Sequence, residues 1–306
     1  MDMPRDPLQW CIGLVGYGEV GRILAEDLRA RGLARINAYD VKLGGADEAP
    51  LREHAARHGV TLSASHAELA AGVDLILSAV TASQAVPVAR ACAPVLRAGT
   101  WFLDFNSASP GSKIKADSFV SVAGGRYVEG AVMTSMPPYR IRVPLLLGGP
   151  NAAVLEPLIN ALGFDAKVAS DRLGVASATK MCRSVMIKGL EAMVIESFTT
   201  ARAYGVEAQV LASLAETFPG IDWEKQGSYF FQRVIQHGRR RAEEMREAAQ
   251  TVRDVGLEPW SASGTAERQT WVAELADQGL LGDRNAPRND WRLDADRILA
   301  VRPKTL

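Results

Sequence analysis

Residues 12–21 read I-G-L-V-G-Y-G-E-V-G, which sets Gly16, Gly18 and Gly21 in a GxGxxG array. A short apolar run, residues 11–15, precedes it, and Ile23, Leu24 and Leu28 follow with helical spacing, so the array joins a strand to a helix. Each glycine has its own steric duty: Gly16 permits the tight turn, Gly18 lets backbone approach a pyrophosphate, and Gly21 allows the helix to pack closely on the strand. The helix start then offers unpaired N–H groups and a positive dipole end to phosphate. The next strand, residues 35–39, ends at Asp40, 19 residues beyond Gly21, where a carboxylate meets ribose hydroxyls. The cofactor-binding positions predicted here are Gly16, Tyr17, Gly18, Glu19, Val20 and Asp40. A carboxylate at Asp40 repels a 2′-phosphate, which favours NAD, while neighbouring Lys42 leaves NADP open. The plain alternative is a tight strand-to-helix turn with a solvated aspartate.

Further strands are predicted at residues 73–80, 100–105, 127–133 and 143–147, separated by segments of helical composition. Such alternation implies a parallel sheet covered by helices on both faces. The run V-D-L-I-L-S-A-V at 73–80 is almost wholly apolar, as a strand covered on both faces requires. Asn151 offers an N-cap for a helix through Leu162. Beyond residue 171 strand-like runs vanish. The reading is therefore α/β: an N-terminal Rossmann doubly wound parallel sheet, residues 8–169, followed by an all-helical domain, residues 170–306, for substrate binding and dimerisation. That domain opens with a helix over 174–204, about 45 Å long at the usual rise. The polar, proline-punctuated tail, 282–306, reads as loosely ordered.

A chain of 306 residues accommodates two domains. Lys plus Arg equals Asp plus Glu at 35 each, which leaves no bulk field to attract nucleic acid or an anionic membrane. No apolar run approaches the roughly 18 residues of a spanning helix, and residues 1–7 lack the order of a signal peptide. Cys11, Cys92 and Cys182 are odd in number and without CxxC spacing, consistent with a reducing cytoplasm. His54, His58 and His66 lie in helical stretches of the first half, and their spacing does not read as a metal site. The partner predicted is a small-molecule substrate.

Residues 174–184 read G-V-A-S-A-T-K-M-C-R-S, with small side chains preceding Lys180. Ser177 and Ser184, three before and four after it, share its helix face. A lysine in a partly desolvated pocket can exchange a proton with a substrate hydroxyl. The alternative is a surface lysine on an alanine-rich helix.

Four motifs in chain order resemble the β-hydroxyacid dehydrogenases, which include 3-hydroxyisobutyrate, tartronate semialdehyde and 6-phosphogluconate enzymes. They are GLVGYGEVG, DFNSASP at 104–110, VEGAVMTS at 128–135 followed by LLLGGP, and GVASATKMCRS, spanning roughly residues 12–204. The resemblance implies a Rossmann domain followed by a helical one, a homodimer, and Lys180 as general acid/base. It also implies cofactor contacts at Ala79, Val80 and Thr81 and a polar pair, Asn106 and Ser107, beneath a nicotinamide.

The departures are equally specific. Where relatives carry Asp-x-Pro-Val-Ser-Gly-Gly to bind a substrate carboxylate, this chain has Glu129 to Ser135, with Met133, Thr134 and Ser135 at the cradle. Ser184 replaces an asparagine, and the downstream Lys-Asp pair is missing. His237 and Arg240, three apart on a predicted helix, are candidate replacements for the anion contact, with Arg183 a further one. Against that, Arg239 with Glu243 and Arg240 with Glu244 fit solvated ion pairs. Trp223, Tyr229, Phe230 and Phe231 read as core or, beside Met133, Met136 and Tyr139, as a bulkier substrate pocket. The expected chemistry is NAD(P)-dependent oxidation or reduction at a β-hydroxy carbon of a 3-hydroxy acid or related compound. An imine reductase and a non-catalytic dinucleotide sensor stand as alternatives.

Overall fold

The computed structural model describes residues 6–301; the first and last five, which include parts of the N-terminal segment and of the tail, lie outside the described residues. Contacts group the chain into two units, one ending at Met181 and the other beginning at Cys182.

The first unit is built on an eight-stranded sheet of order β3-β2-β1-β4-β5-β6-β7-β8. Its strands are β1 (Cys11–Val15), β2 (Arg35–Tyr39), β3 (Thr61–Leu62), β4 (Leu75–Ser78), β5 (Trp101–Asp104), β6 (Arg126–Val132), β7 (Pro144–Gly148) and β8 (Asp165–Ser170). The helices between them are α1 (Glu19–Ala30), α2 (Ala49–His58), α3 (His66–Ala71), α4 (Ala85–Cys92), α5 (Pro110–Val122), α6 (Met136–Tyr139) and α7 (Ala152–Ala161). Strands β3 through β6 pair in parallel.

Successive side chains of a strand point to opposite faces, and the two cores of this unit follow that rule. Ile12, Leu14, Leu75, Leu77, Trp101 and Leu103 belong to one cluster, and Cys11, Val15, Ile76 and Phe102 to the other. Both faces are thus covered, which is why these strands are apolar apart from Ser78 and Asp104 at their carboxyl ends.

Three features differ from the sequence reading. β7 runs antiparallel to β6, because residues 133–143 turn back without a crossover long enough to restore the parallel direction. β3 and β8 escaped notice: the first has two residues, and the second is a largely exposed edge strand, D-A-K-V-A-S, with little apolar patterning. Asn151 takes the N-cap position of α7, yet its amide donates to the Tyr127 carbonyl (3.2 Å) rather than capping the helix.

Helix α8 (Val175–Tyr204) carries the chain from the first unit into the second. Thereafter come α9 (Glu207–Thr217), α10 (Trp223–Arg253), α11 (Trp260–Asp277) and α12 (Trp291–Ala300). α10 and α11 pack tightly where Gly238 sits, since a Cβ there would lie 2.8 Å from the Gln269 carbonyl oxygen. Trp223, Phe230 and Phe231 join the core of this unit, while Tyr229 stays half-exposed. The tail is ordered rather than loose through α12: Trp291 is buried against Phe198 and Phe231, and the Arg288 guanidinium pairs with the buried Asp294 carboxylate. Proline-rich spacing concealed an anchor whose partners lie far away in sequence.

Candidate active site

The strand order reverses direction between β1 and β4, the place where open α/β sheets bind ligands beyond the strands' carboxyl ends. The glycine turn sits there. Gly16 has φ +89°, and a Cβ on it would lie 2.3 Å from the Ala79 carbonyl oxygen. A Cβ on Gly21 would meet the Gly16 carbonyl oxygen at 2.2 Å. Gly18, by contrast, has no atom within 4 Å of that position, so the space in front of it is open. The N-terminus of α1 has no side-chain cap, leaving its first N–H groups facing the opening. These features fit a dinucleotide pyrophosphate: two glycines are demanded by the protein's own backbone, and the third leaves room a side chain would fill.

Asp40 accepts hydrogen bonds from the Tyr17 N–H (2.8 Å) and the Lys42 N–H (3.0 Å), which fixes its carboxylate beside the turn. The Tyr17 side chain is buried, and burial pushes its phenol up to about 12. Its hydroxyl meets His54 Nδ1 at 2.8 Å, and His54 Nε2 meets Glu26 at 3.0 Å.

The ends of β4 and β5 are stitched together by Asn106. Its Oδ1 accepts from the Val80 N–H (2.7 Å), its Nδ2 donates to Ser78 Oγ (3.0 Å), and its own N–H donates to Asp104 Oδ1 (2.8 Å). Ala79, Val80 and Thr81 are thereby held next to Asn106 and Ser107. Ser107 Oγ in turn receives a hydrogen bond from Lys180 Nζ at 2.6 Å. The lysine is half-buried on the first turns of α8, at the same sheet edge as the polar pair.

Two buried ionisable side chains that sequence reasoning passed over hold this arrangement. Lys113, on the first turn of α5, is fully buried and donates to the Asp104 carbonyl (2.8 Å), with its Nζ also 2.9 Å from the Asp104 carboxylate. The other oxygen of that carboxylate accepts from the Tyr127 hydroxyl (2.8 Å), whose ionisation is pushed far above the ordinary range by burial and then by Asp104 itself. Glu129, on β6, is likewise buried and accepts from the Ala176 N–H (3.1 Å) and the Ser177 hydroxyl (2.7 Å). Ser177 is therefore an anchor for the start of α8, one turn before Lys180. Lysines on helices read by default as surface residues, so only the acidic Asp104 at a strand end hinted at a partner.

Met133, Thr134 and Ser135 leave the end of β6 at this same edge. The Met133 N–H donates to the Pro144 carbonyl (3.0 Å), and Met133 and Ser135 are half-buried while Thr134 is exposed. The segment beyond them is pinned by Arg140, a non-glycine residue at φ +54°, whose guanidinium reaches Glu26 (2.6 Å) and Asp27 (2.7 Å) on α1.

In the second unit, Ser184 is buried and accepts from Lys188 Nζ (3.0 Å), which also pairs with Glu244 (2.9 Å). Arg241 pairs with Glu191 through two contacts, one of 2.9 Å. These pairings run antiparallel along α8 and α10, so His237 lies about 16 Å along the helix axes from Ser184 at the usual rise. The structure does not bring those two candidates together. His237 stands instead among Arg233, Arg240 and Arg241; burial first, and then these charges, push its imidazole down to about 4. Glu244 pairs with Lys188 and Arg239 with Asp277, in place of the i,i+4 pairs expected along α10.

Residues 11–106 match the family described as NADP oxidoreductase, coenzyme F420-dependent, and residues 201–272 match a domain of unknown function, DUF1932. A conserved hypothetical protein from Sinorhizobium meliloti 1021 is 35% identical, the match covering 94% of this chain and 96% of that one with a TM-score of 0.73. A second solved structure, of a conserved protein of unknown function described as structurally similar to 3-hydroxyacid dehydrogenases, is 28% identical over 87% of this chain and 98% of its own, with a TM-score of 0.64. The mitochondrial 3-hydroxyisobutyrate dehydrogenase of Drosophila melanogaster is 23% identical over 69% of this chain and 64% of its own length. A reductive aminase from Aspergillus terreus, 19% identical over 95% of this chain and 99% of its own with a TM-score of 0.54, shares the fold alone.

Sheet, glycine turn and helical second unit together define an oxidoreductase of the NAD(P) Rossmann type. More narrowly, the chain belongs to the same family as the Sinorhizobium meliloti protein and is a divergent member of the β-hydroxyacid dehydrogenases.

Proposed function

We propose that the protein interconverts a β-hydroxy compound, of the 3-hydroxy acid class or close to it, and the corresponding carbonyl, using NAD in preference to NADP. The observation that carries this reading is the 2.6 Å hydrogen bond from Lys180 Nζ to Ser107 Oγ at the sheet edge, beside Asn106. A bound nicotinamide supplies or accepts the hydride. The chain's own residues handle placement and the proton. Gly16, Tyr17, Gly18, Glu19 and Val20 receive the pyrophosphate, and Asp40 faces the ribose hydroxyls and repels a 2′-phosphate. Asn106 holds the Val80 backbone, so the floor of the site is rigid before ligand arrives. In oxidation, unprotonated Lys180 Nζ takes the proton of the substrate hydroxyl; in reduction, the ammonium returns it to the same oxygen. Met133, Thr134 and Ser135 line the substrate side. Met133 in place of a small residue favours a bulkier or partly apolar group. Ser184 and a second copy of the chain complete our reading, the latter as a homodimer.

The test is absorbance at 340 nm with NAD or NADP against 3-hydroxy acids, aromatic β-hydroxy acids and amino alcohols. Turnover with one class, reduced about 100- to 10,000-fold by Lys180→Ala while NADH binding is kept, is the expected result. Turnover that survives Lys180→Ala would remove the lysine from the mechanism. Activity on imines alone would replace the substrate class.

A further inference from the structure

On the outer side of the first unit, α1 and α2 bring together Glu26, His54 and His58. Their nearest ligand atoms, one per residue, all lie within 4.8 Å of one another. His54 and His58 stand four apart on α2, one above the other, with ring centroids 4.4 Å apart and planes inclined by 28°. Glu26 enters from α1, 28 residues earlier, which is why spacing along the chain does not reveal the group. We infer that these three side chains form a binding site for a borderline transition-metal dication such as Zn²⁺ or Co²⁺.

The chemistry of the donors sets the class of ion. Two imidazoles and one carboxylate suit zinc, cobalt, nickel or copper, whereas magnesium and calcium require oxygen donors throughout. Three protein ligands leave a fourth, open position for water. The His54–Glu26 distance of 3.0 Å is already close to the roughly 3.4 Å edge of a tetrahedral zinc site, so His58 is the side chain that must move inward.

The surroundings fit as well. His54 Nδ1 lies 2.8 Å from the Tyr17 hydroxyl, the outer-shell bond that fixes ring orientation and tautomer when Nε2 binds a metal. With Nε2 on a metal, Nδ1 carries the hydrogen, and the Tyr17 hydroxyl oxygen is placed to accept that N–H. The other Glu26 oxygen meets Arg140 at 2.6 Å, but Arg140 also reaches Asp27 at 2.7 Å. Two carboxylates against one guanidinium leave this charged trio net negative, and a cation gains from it. Glu26 and His58 are half-buried, so the site is open to entry from solvent.

The experiment is calorimetric titration of Zn²⁺, paired with visible absorption on Co²⁺ addition, into metal-stripped protein lacking any affinity tag. Wild type should bind one equivalent per chain and show tetrahedral cobalt bands. His58→Gln, on the half-buried ligand, should weaken binding more than about 10-fold, and Tyr17→Phe about 10-fold through loss of the outer-shell bond. His66→Gln should bind as wild type does, and circular dichroism checks that every variant is folded. Absence of binding in wild type, or a His58→Gln protein that binds equally well, overturns the site. Neither result depends on which substrate the enzyme turns over.

Discussion

Both units bury cations, and they use them differently. In the first, Lys113 is enclosed at the end of the sheet, where it touches the Asp104 carboxylate and carbonyl while that carboxylate also receives Tyr127 and the Asn106 backbone. In the second, Arg241 with Glu191, Lys188 with Glu244 and Arg288 with Asp294 join side chain to side chain. One buried charge shapes the turn on which Asn106 and Ser107 stand; the others set the register of packed helices or anchor the tail. Removing one partner of a buried pair is costly wherever it lies, but replacing both should be tolerated better the fewer further groups the pair holds.

The largest loss should follow Lys113→Met, about 3–5 kcal/mol by denaturant unfolding. Lys113→Met/Asp104→Leu should recover little of it, since Tyr127 and the Asn106 N–H lose their acceptor as well. Arg241→Met should cost about 3 kcal/mol, and Arg241→Met/Glu191→Leu should recover most of it, since beyond Arg241 the Glu191 carboxylate accepts one longer bond, from Gln269 Nε2 at 3.4 Å. If both double variants recover alike, the contrast between the units collapses.

His237 sharpens the contrast through pH. Its folded-state affinity for protons is depressed to about 4 against an ordinary 6.5, so the unfolded chain binds the extra proton and stability falls as pH drops through that window. Allowing for its partial exposure, the loss should be about 1–2 kcal/mol between pH 6.5 and 4, and His237→Gln should flatten that part of the profile. A profile unchanged by His237→Gln would place the acid sensitivity elsewhere.

The smallest effect on stability should come from Gly18→Ala, less than about 0.5 kcal/mol, because nothing lies within 4 Å of the added Cβ. The same change should lower NADH affinity at least about 10-fold, read by fluorescence, since the methyl group enters the space held open for pyrophosphate. Unchanged affinity would show that the open space is not the phosphate seat.

What the sequence displayed well was local. The β1–turn–α1 unit announces itself because Gly16 and Gly21 answer to a neighbour within a few residues or to the strand alongside, while Gly18 faces open space. β4 and β5 were visible because burial on both faces makes a strand almost wholly apolar. The buried roles of Lys113 and Glu129 were hidden because each depends on a residue contributed by another element, and nothing in a helix or strand pattern marks a charge as interior. Ser177 shared Lys180's predicted face but turned out to serve Glu129. Trp291 stayed hidden for the same reason, its ring partners lying 60 or more residues upstream in α8 and α10.

The division between the two units falls at Met181, one residue after Lys180. The proposed proton-carrying amine is thus tied, through Ser107 and through the Glu129 clamp on Ala176 and Ser177, to the dinucleotide-binding unit. Evolution could exchange or remodel everything after that point and still inherit the proton chemistry intact. Divergence in such a lineage would then change what is transformed far more readily than how.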